Sequence, residues 1–484
     1  MTSTLTASST VGIRHWYLAP PHARSGIGAP GEAPGPIALV RQQRFHPLGE
    51  FSTSLEFVTR QGDLLFGDAA RAAGTPGGRV LRYRLRGGPG PVIVLTDPAH
   101  VKAIMTADES IAPSATHQSP LAPIVGPDSV LTSVGERHRQ QRALLLPRFH
   151  GKAVANYQAS IERATDDGLR TWPIGKPVAL ADIAQQITLD VIMSAVFGLP
   201  DPRDTTDAER AMRTAILRLL RLSTTPMATV TQLANSRRED PVGLLKLVLA
   251  AVDRTVYRVL DERRAAGESG MRDDIMSLLL QARDTEGNLL PDSEIRDELM
   301  TLVLAGHETT ANTVAWTFER LTRNPEVYRR AQRAARADDE AYVEALVNES
   351  MRTRPVVPIV ARELFGPFDF DDTHIDARPG DGITALVSIL LLHHRDDLYP
   401  QPFAFQPERF LGVRINPYEL MPFGGGIRRC LGAPLAVAEL QTVVGAILRR
   451  VELRTHDRAP EKPRHRNVTM IPGRGGIVVA DAIR

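Results

Sequence analysis

The single cysteine of this chain, Cys430, lies in a glycine-rich loop that runs directly into an apolar, helix-like stretch. A thiolate at the start of a helix feels the positive end of the helix dipole and can accept backbone N–H hydrogen bonds. We therefore expect a lowered thiol pKa, to which Arg428 and Arg429 contribute. An isolated cysteine is more often a small buried hydrophobe, but the three glycines 424–426 indicate a chain that turns tightly or lies against a flat group. One thiolate cannot satisfy zinc or an iron–sulfur cluster, which take about four protein ligands, but it can be the only protein ligand of a haem iron.

A second group of reactive residues lies in the middle of a long helix predicted from about Asp292 to Arg323. Pro291-Asp292 is a start signal, Asn324-Pro325 is a stop signal, and apolar residues recur between them at helical spacing. Within it stands Ala305-Gly306-His307-Glu308-Thr309-Thr310, where glycine and threonine are locally unfavourable. An amphipathic core helix with incidental threonines is the alternative, but a carboxylate is rarely buried without a role or a partner.

The cysteine loop carries a recognisable pattern. Phe423-x-x-Gly426-x-Arg428-x-Cys430-x-Gly432 resembles the haem-binding signature of the cytochrome P450 monooxygenases, with every fixed position occupied. The resemblance covers the chain from about Pro47 to its end. It implies a mainly α-helical fold with a smaller β-rich part, in which haem b lies between the long central helix and the helix after the cysteine loop.

The resemblance also assigns roles around the haem. Cys430 becomes the axial iron ligand, and Phe423, Gly424, Gly432 and Ala305 become haem contacts. On the central helix it implies that Thr309 hydrogen-bonds the activated oxygen, that Glu308 relays protons through water, and that Gly306 leaves room for dioxygen.

The haem propionates need cationic partners, because each is an anion in a partly desolvated site. His138 and Arg142 are four residues apart and share a helix face, although a solvated basic helix end would show the same spacing. They match the family's propionate-binding helix, in which many members carry tryptophan where this chain carries histidine. Arg362 matches the strand arginine that reaches a propionate, and Arg428 completes the set.

Glu349 and Arg352 lie three apart on a helix predicted from Ala341 to Arg354. Alone, the pair would be an ordinary surface salt bridge. The family pattern adds Arg409, in Pro407-Glu408-Arg409-Phe410, and implies a buried charge network with a structural role.

The chain divides into a Pro/Gly/Ala-rich N-terminal tail, residues 1–46, expected to be flexible, and a single domain, residues 47–484. Val80–Leu85 and Val92–Leu95 are predicted to form a hairpin, followed by a helix that begins after Asp97. We find no run of 18 apolar residues and no secretory signal, so we expect no transmembrane anchor. A single cysteine is consistent with a reducing cytoplasm.

Basic and acidic residues are nearly balanced, 58 against 56, so nucleic acid is not an expected partner. Arg137, Arg139, Arg428 and Arg429 could form a basic patch for an acidic electron carrier, or simply solvate the surface. Because neither a flavin domain nor cluster-binding cysteines are evident, NAD(P)H electrons are expected through a separate ferredoxin or flavodoxin and its reductase. We expect a monomer.

The expected reaction inserts one oxygen atom of O2 into a C–H or C=C bond. Alternatives are a peroxygenase using hydrogen peroxide, a non-enzymatic haem protein that senses or stores a gas, and a helical interaction protein without cofactor. Segments 110–127, 218–240 and 356–360 are expected to shape an apolar pocket for a fatty acid, terpenoid, steroid or polyketide-like substrate. Ser223 to Thr231 is either a mobile lid or a polar loop.

Overall fold

A computed structural model describes residues 80–84, 90–116, 119–199, 205–222, 231, 235, 238, 240–370, 373–466 and 468–484. The predicted N-terminal tail lies outside these residues. So does almost all of the serine- and threonine-rich segment 223–231 that was considered as a lid.

The described chain is mainly helical. Its helices are α1 (Pro98–Thr106), α2 (Ala122–Val125), α3 (Gly135–Leu145), α4 (Lys152–Arg170), α5 (Leu180–Phe197), α6 (Asp207–Leu222), α7 (Gly243–Ala265), α8 (Ile275–Gln281), α9 (Asp292–Thr322), α10 (Pro325–Arg336), α11 (Glu340–Thr353), α12 (Ile389–Leu392) and α13 (Ala433–Arg450). Short 3₁₀ turns cover Leu146–Phe149, Gly267–Gly270, Pro407–Phe410 and Gly426–Arg428.

The strands form small sheets. They are β1 (Val80–Arg84), β2 (Pro91–Leu95), β3 (Pro177–Ala179), β4 (Ile359–Glu363), β5 (Phe368–Phe370), β6 (Thr373–Ile375), β7 (Thr384–Ser388), β8 (Val451–Thr455), β9 (Pro463–Arg466), β10 (Thr469–Pro472) and β11 (Ile477–Ile483). The largest described sheet has the order β1-β2-β7-β4, and only its β2–β7 pair is parallel. A three-stranded sheet, β3-β11-β8, and the hairpins β5–β6 and β9–β10 complete the described set.

Several predicted elements are confirmed. β1 pairs antiparallel with β2, and the helix after it begins where Asp97 accepts a hydrogen bond from Ala99 N–H at 2.9 Å. The predicted central helix appears as α9, over Asp292–Thr322, and the predicted helix Ala341–Arg354 appears as α11, over Glu340–Thr353.

Helix α9 runs through the main hydrophobic core, and α5 packs along it. Thr188 on α5 donates a hydrogen bond from Oγ1 to the carbonyl of His307 at 2.7 Å. A second core joins α1 to the β1-β2-β7-β4 sheet and includes Met421, directly before the cysteine loop.

One described helix passes a test for membrane spans that uses length and composition alone. Helix α5, Leu180–Phe197, contains polar residues and is therefore no uninterrupted apolar run, yet its mean hydropathy of 1.3 and its 18-residue length would suffice. In this fold 67% of that helix is buried inside the protein. Burial of this kind is typical of a core helix.

Candidate functional site

The cysteine loop is closed by its own backbone. Cys430 N–H donates to the carbonyl of Phe423 at 2.8 Å, and the side chain of Phe423 packs against the main core. Gly424 and Gly426 both have positive φ angles, +68° and +64°, which residues other than glycine rarely adopt. At Gly426 a Cβ would also lie 1.9 Å from the carbonyl oxygen of Met105 on α1, so this glycine lets the loop touch that helix.

The thiol of Cys430 stands at the start of α13. The N–H groups of Gly432 and Ala433 hydrogen-bond to it, and Arg142 and Arg429 add positive charge; all four favour the thiolate. Part of the Cys430 side chain is exposed. Protein nevertheless surrounds the sulfur on most sides, and this burial raises the pKa of the thiol above its ordinary value. The expectation of a lowered pKa is therefore wrong for the chain alone, because desolvation outweighs the dipole and the charges.

In the middle of α9, the residues on one side of the helix form an accessible strip that is not buried in the core. Ala305 is exposed and Thr309 is half-buried, although residues on the other faces of the helix are buried. The hydroxyl of Thr309 donates to the carbonyl of Ala305 at 2.7 Å. This bond holds the Thr309 side chain along the helix on the accessible strip.

Glu308 forms an ion pair and a hydrogen bond with the β9–β10 hairpin. Its Oε1 atom accepts hydrogen bonds from Nε of Arg466 at 2.9 Å and from Oγ1 of Thr469 at 2.9 Å, and Nη2 of Arg466 lies 2.8 Å from it. Both partners belong to the β9–β10 hairpin. The sequence pattern suggested Glu308 as a proton relay but did not suggest this ion pair.

Gly306 has a packing role that the sequence did not suggest. A Cβ at this position would lie 2.8 Å from Cδ1 of Ile192 on α5. The glycine therefore permits the close approach of α5 to α9. Its predicted role of leaving room for dioxygen stays a prediction.

The four predicted propionate partners lie close together. His138 and Arg362 are buried, and Arg142 and Arg428 are half-buried. Burial, and then the charges of Arg428 and Arg142, lower the pKa of His138 to about 4. Burial likewise lowers the pKa of Arg428 to about 10. Each arginine disfavours the charge of its neighbours, so the cluster is suited to an anion.

Three buried nitrogen atoms in this cluster have no hydrogen-bond partner among the described residues: Nδ1 of His138, Nη2 of Arg362 and Nε of Arg428. Buried donors are normally satisfied, so these atoms fit a ligand that carries acceptors. The carboxylate of Glu109 raises the pKa of Arg362 and of Arg428 by charge attraction. Glu109 also lies 3.3 Å from Arg139. One carboxylate does not neutralise the cluster, and a ligand with two carboxylates fits it.

Cys430 is the predicted iron ligand. Within the described ranges, no group of three or more His, Cys, Asp or Glu side chains could hold a metal ion. The role of Cys430 as the axial ligand of a haem iron stays a prediction.

Arg428 makes backbone contacts that the sequence did not reveal. It donates from Nη1 to the carbonyl of Val130 at 3.1 Å and from Nη2 to the carbonyl of Ser133 at 2.5 Å. From the opposite side, Glu298 on α9 accepts from Val130 N–H, and Asp297 accepts from Asp128 N–H, each at 3.0 Å. The segment Gly126–Ser133 is thus held between the central helix and the cysteine loop.

Glu349, Arg352 and Arg409 lie together in the interior. Arg352 donates from Nε and Nη2 to the two carboxylate oxygens of Glu349 at 2.7 and 2.8 Å, and Nε of Arg409 lies 3.2 Å from Oε2. Arg352 also donates to the carbonyl of His393 at 2.7 Å, and Nε2 of His393 accepts from Met421 N–H at 2.9 Å. This chain of contacts connects the network to the start of the cysteine loop.

Glu439 is a buried carboxyl that the sequence reasoning missed. It lies on α13, Thr310 of α9 hydrogen-bonds to it, and its Oε1 atom has no partner within the described part of the chain. Burial raises its pKa well above the ordinary value, more than the Thr310 bond lowers it. A lone glutamate among the apolar residues of the predicted helix after Cys430 was the available signal.

The predicted basic patch is largely neutralised. Arg137 lies 2.9 Å from Asp128 and 3.2 Å from Glu294, and Arg139 is paired with Glu136 and Glu109. Arg428 is half-buried and donates to the carbonyls of Val130 and Ser133, so Arg429 is the exposed member of the predicted patch for which no ion pair is found in the described part of the chain.

Comparisons with known proteins show the family of the chain. The sequence model of the family described as Cytochrome P450 matches residues 80–479. The chain is 34% identical over 485 residues to a Mycobacterium tuberculosis protein named cytochrome P450 137, covering 97% of this chain and 94% of that protein. It is 35% identical over 404 residues to the Mycobacterium bovis protein named cytochrome P450 135B1, covering 82% and 84%. Among solved structures, cyanobacterial CYP120A1 with bound retinoic acid matches with a TM-score of 0.70 and 21% identity, covering 89% of this chain and 96% of that one. The last likeness concerns the fold alone.

Proposed function

Because this chain belongs to the cytochrome P450 family of haem monooxygenases, we propose that it takes electrons from a separate redox partner and hydroxylates or epoxidises a small hydrophobic organic substrate. The observation that carries the proposal is the pairing of one accessible cysteine at a helix start with a buried cationic cluster that has unsatisfied donors. In the reaction, O2, two electrons and two protons convert a substrate C–H bond into C–OH and release water.

The cofactor of this proposal is haem b. Cys430 would bind the iron through its sulfur, and His138, Arg142, Arg362 and Arg428 would bind the propionates. When bound, the haem supplies oxygen activation and transfer. The N–H groups of Gly432 and Ala433 stabilise the charge of the sulfur.

In the proposed reaction, residues of α9 deliver the protons. The Thr309 hydroxyl can turn from the Ala305 carbonyl toward the haem side, because Thr309 lies on the accessible strip of the helix. Glu308 would take protons from solvent and pass them on through water, with Thr309 as the last donor.

The substrate class and the redox partner are further parts of the proposal. Val357, Ile359 and Val360, in the segment after α11, are half-buried apolar residues that would border a pocket for a fatty acid, terpenoid, steroid or polyketide-like molecule. A ferredoxin or flavodoxin with its reductase would supply NAD(P)H electrons, because one cysteine cannot hold an iron–sulfur cluster. A cytoplasmic location is proposed because a single cysteine is consistent with a reducing compartment. A monomer is proposed as well.

The test is the absorption spectrum of the dithionite-reduced protein with and without carbon monoxide, for wild type and Cys430→Ala. We expect a strongly red-shifted Soret band in the wild type that is absent in the variant. A wild-type band typical of histidine ligation would overturn the assignment of Cys430. NAD(P)H oxidation by the purified chain without any redox partner would overturn the need for a separate carrier.

A further inference from the structure

Two described residues of the β9–β10 hairpin hold one oxygen atom of Glu308. Two nitrogens of Arg466 and the hydroxyl of Thr469 lie within 2.8–2.9 Å of Oε1. No described residue donates a hydrogen bond to Oε2. A carboxylate fixed through one oxygen keeps a defined orientation, while the second oxygen can exchange protons with water.

The same hairpin contacts the expected substrate side of the protein. Met470, next to Thr469, donates its N–H to the carbonyl of Val356 at 2.6 Å and accepts from Nε1 of Trp316 on α9 at 3.1 Å. Val356 begins the segment 356–360 that is expected to line the substrate pocket. One short hairpin therefore contacts both the expected pocket segment and Glu308, through the adjacent residues Met470 and Thr469.

The Thr469 hydroxyl has two acceptors. Its Oγ1 lies 2.9 Å from Oε1 of Glu308 and 2.8 Å from the carbonyl oxygen of Arg466. A hydroxyl carries one proton and donates to one of them at a time. A small displacement of the hairpin can therefore shift this hydrogen bond between the carboxylate and the backbone.

We propose that Arg466 and Thr469 are positioning residues for Glu308, and that through Met470 and Val356 they link the substrate-side wall to proton delivery. This inference rests on the proposed function. Neither residue touches the reacting atoms in this account. Each fixes the orientation of the carboxylate through Oε1, so that Oε2 can exchange protons with water.

The experiment compares the haem-loaded Arg466→Gln, Arg466→Lys and Arg464→Gln variants. Arg464 is the matched control, because it lies on the same strand, is exposed and has no ion pair in the described structure. The first readout is the infrared stretching frequency of carbon monoxide bound to the reduced protein, which reports on the orientation of nearby charge. The second is the hydrogen peroxide formed per NADPH, measured without substrate and with plant ferredoxin and its reductase as electron donors.

We expect Arg466→Gln to shift the carbon monoxide frequency and to raise the peroxide yield at least about twofold, because proton delivery depends on positioning. Arg466→Lys should recover most of both effects, and Arg464→Gln should show neither. In a Glu308→Gln background, Arg466→Gln should have no further effect, since coupled residues are non-additive.

Equal values for Arg466→Gln and Arg464→Gln, or full additivity with Glu308→Gln, would overturn the proposal. Absence of a thiolate-type carbon monoxide band in the wild type would instead overturn the proposed function, so the two failures are distinguishable.

Discussion

Glu298 and Val130 are joined by a hydrogen bond from the backbone N–H of Val130 to Oε1 of Glu298, 3.0 Å long. The residues are 168 positions apart in the sequence. Glu298 is buried on α9, and its Oε2 atom has no partner in the part of the chain that the structure describes. Burial raises its pKa from the usual 4.5 to about 8, so the carboxyl is held protonated near neutral pH.

The first prediction concerns the pH dependence of stability. Between pH 4.5 and about 8 the folded protein keeps a proton on Glu298 that the unfolded chain releases. The free energy of unfolding should therefore fall with rising pH in this window, by at most about 1.4 kcal/mol per pH unit from this group. Glu298→Gln should remove that slope. Urea unfolding of wild type and variant at a series of pH values checks it, and parallel curves for the two proteins would contradict it.

The second prediction concerns the buried pair of Glu349 and Arg352, both fully buried. Glu349→Gln leaves two arginines in the interior without their carboxylate, so we expect a loss of about 3–5 kcal/mol in the free energy of unfolding. The control is Arg258→Gln, which breaks an exposed pair with Glu262 and should cost less than about 1 kcal/mol. Denaturant titration measures both. Similar losses of unfolding free energy in the two variants would show that the buried network stabilises the fold no more than an exposed ion pair does.

The third prediction separates two glycines of the cysteine loop. Gly424→Ala meets no atom within 4 Å and should cost only the positive-φ strain, about 1–2 kcal/mol. Gly426→Ala has the same strain and also places its Cβ against the Met105 carbonyl, so it should displace the loop from α1. We expect a clearly lower haem content for Gly426→Ala, measured by the ratio of Soret to protein absorbance. Equal haem content in both variants would mean that the contact with Met105 does not hold the loop.

The fourth prediction concerns haem retention. Arg362→Gln removes a buried guanidinium with an unsatisfied donor, and we expect haem transfer to excess apomyoglobin to become about tenfold faster, which corresponds to about 1.4 kcal/mol. Arg139→Gln is the control, because Arg139 is exposed and its partners are Glu136 and Glu109. If both variants release haem at the wild-type rate, Arg362 is not a propionate partner.

The sequence could predict the parts of the site that depend on local spacing. The hairpin before Asp97, the bounds of α9 and the helix that carries Glu349 all follow from periodicity and from start and stop signals. Contacts between distant segments could not be predicted in this way. The bonds from Arg466 to Glu308 and from Arg428 to Ser133 span 158 and 295 positions, and no local pattern encodes them. The pKa of Cys430 was misjudged for the same reason, because the burial that raises it comes from the whole fold.

The last prediction concerns Thr309, whose hydroxyl donates to the Ala305 carbonyl on the accessible strip of α9. In Thr309→Ala the last proton donor of the proposed relay is lost. Product formed per NAD(P)H should therefore fall at least about threefold while hydrogen peroxide rises, since a positioned proton donor contributes ~10²–10⁴ in rate. Thr309→Ser keeps the hydroxyl and should restore most of the coupling. Thr313→Ala is the matched control, because Thr313 makes the same kind of bond one turn later, to the carbonyl of Thr309 at 2.9 Å, but is buried. Unchanged coupling in Thr309→Ala, or an equal loss in Thr313→Ala, would show that proton delivery does not pass through the Thr309 hydroxyl.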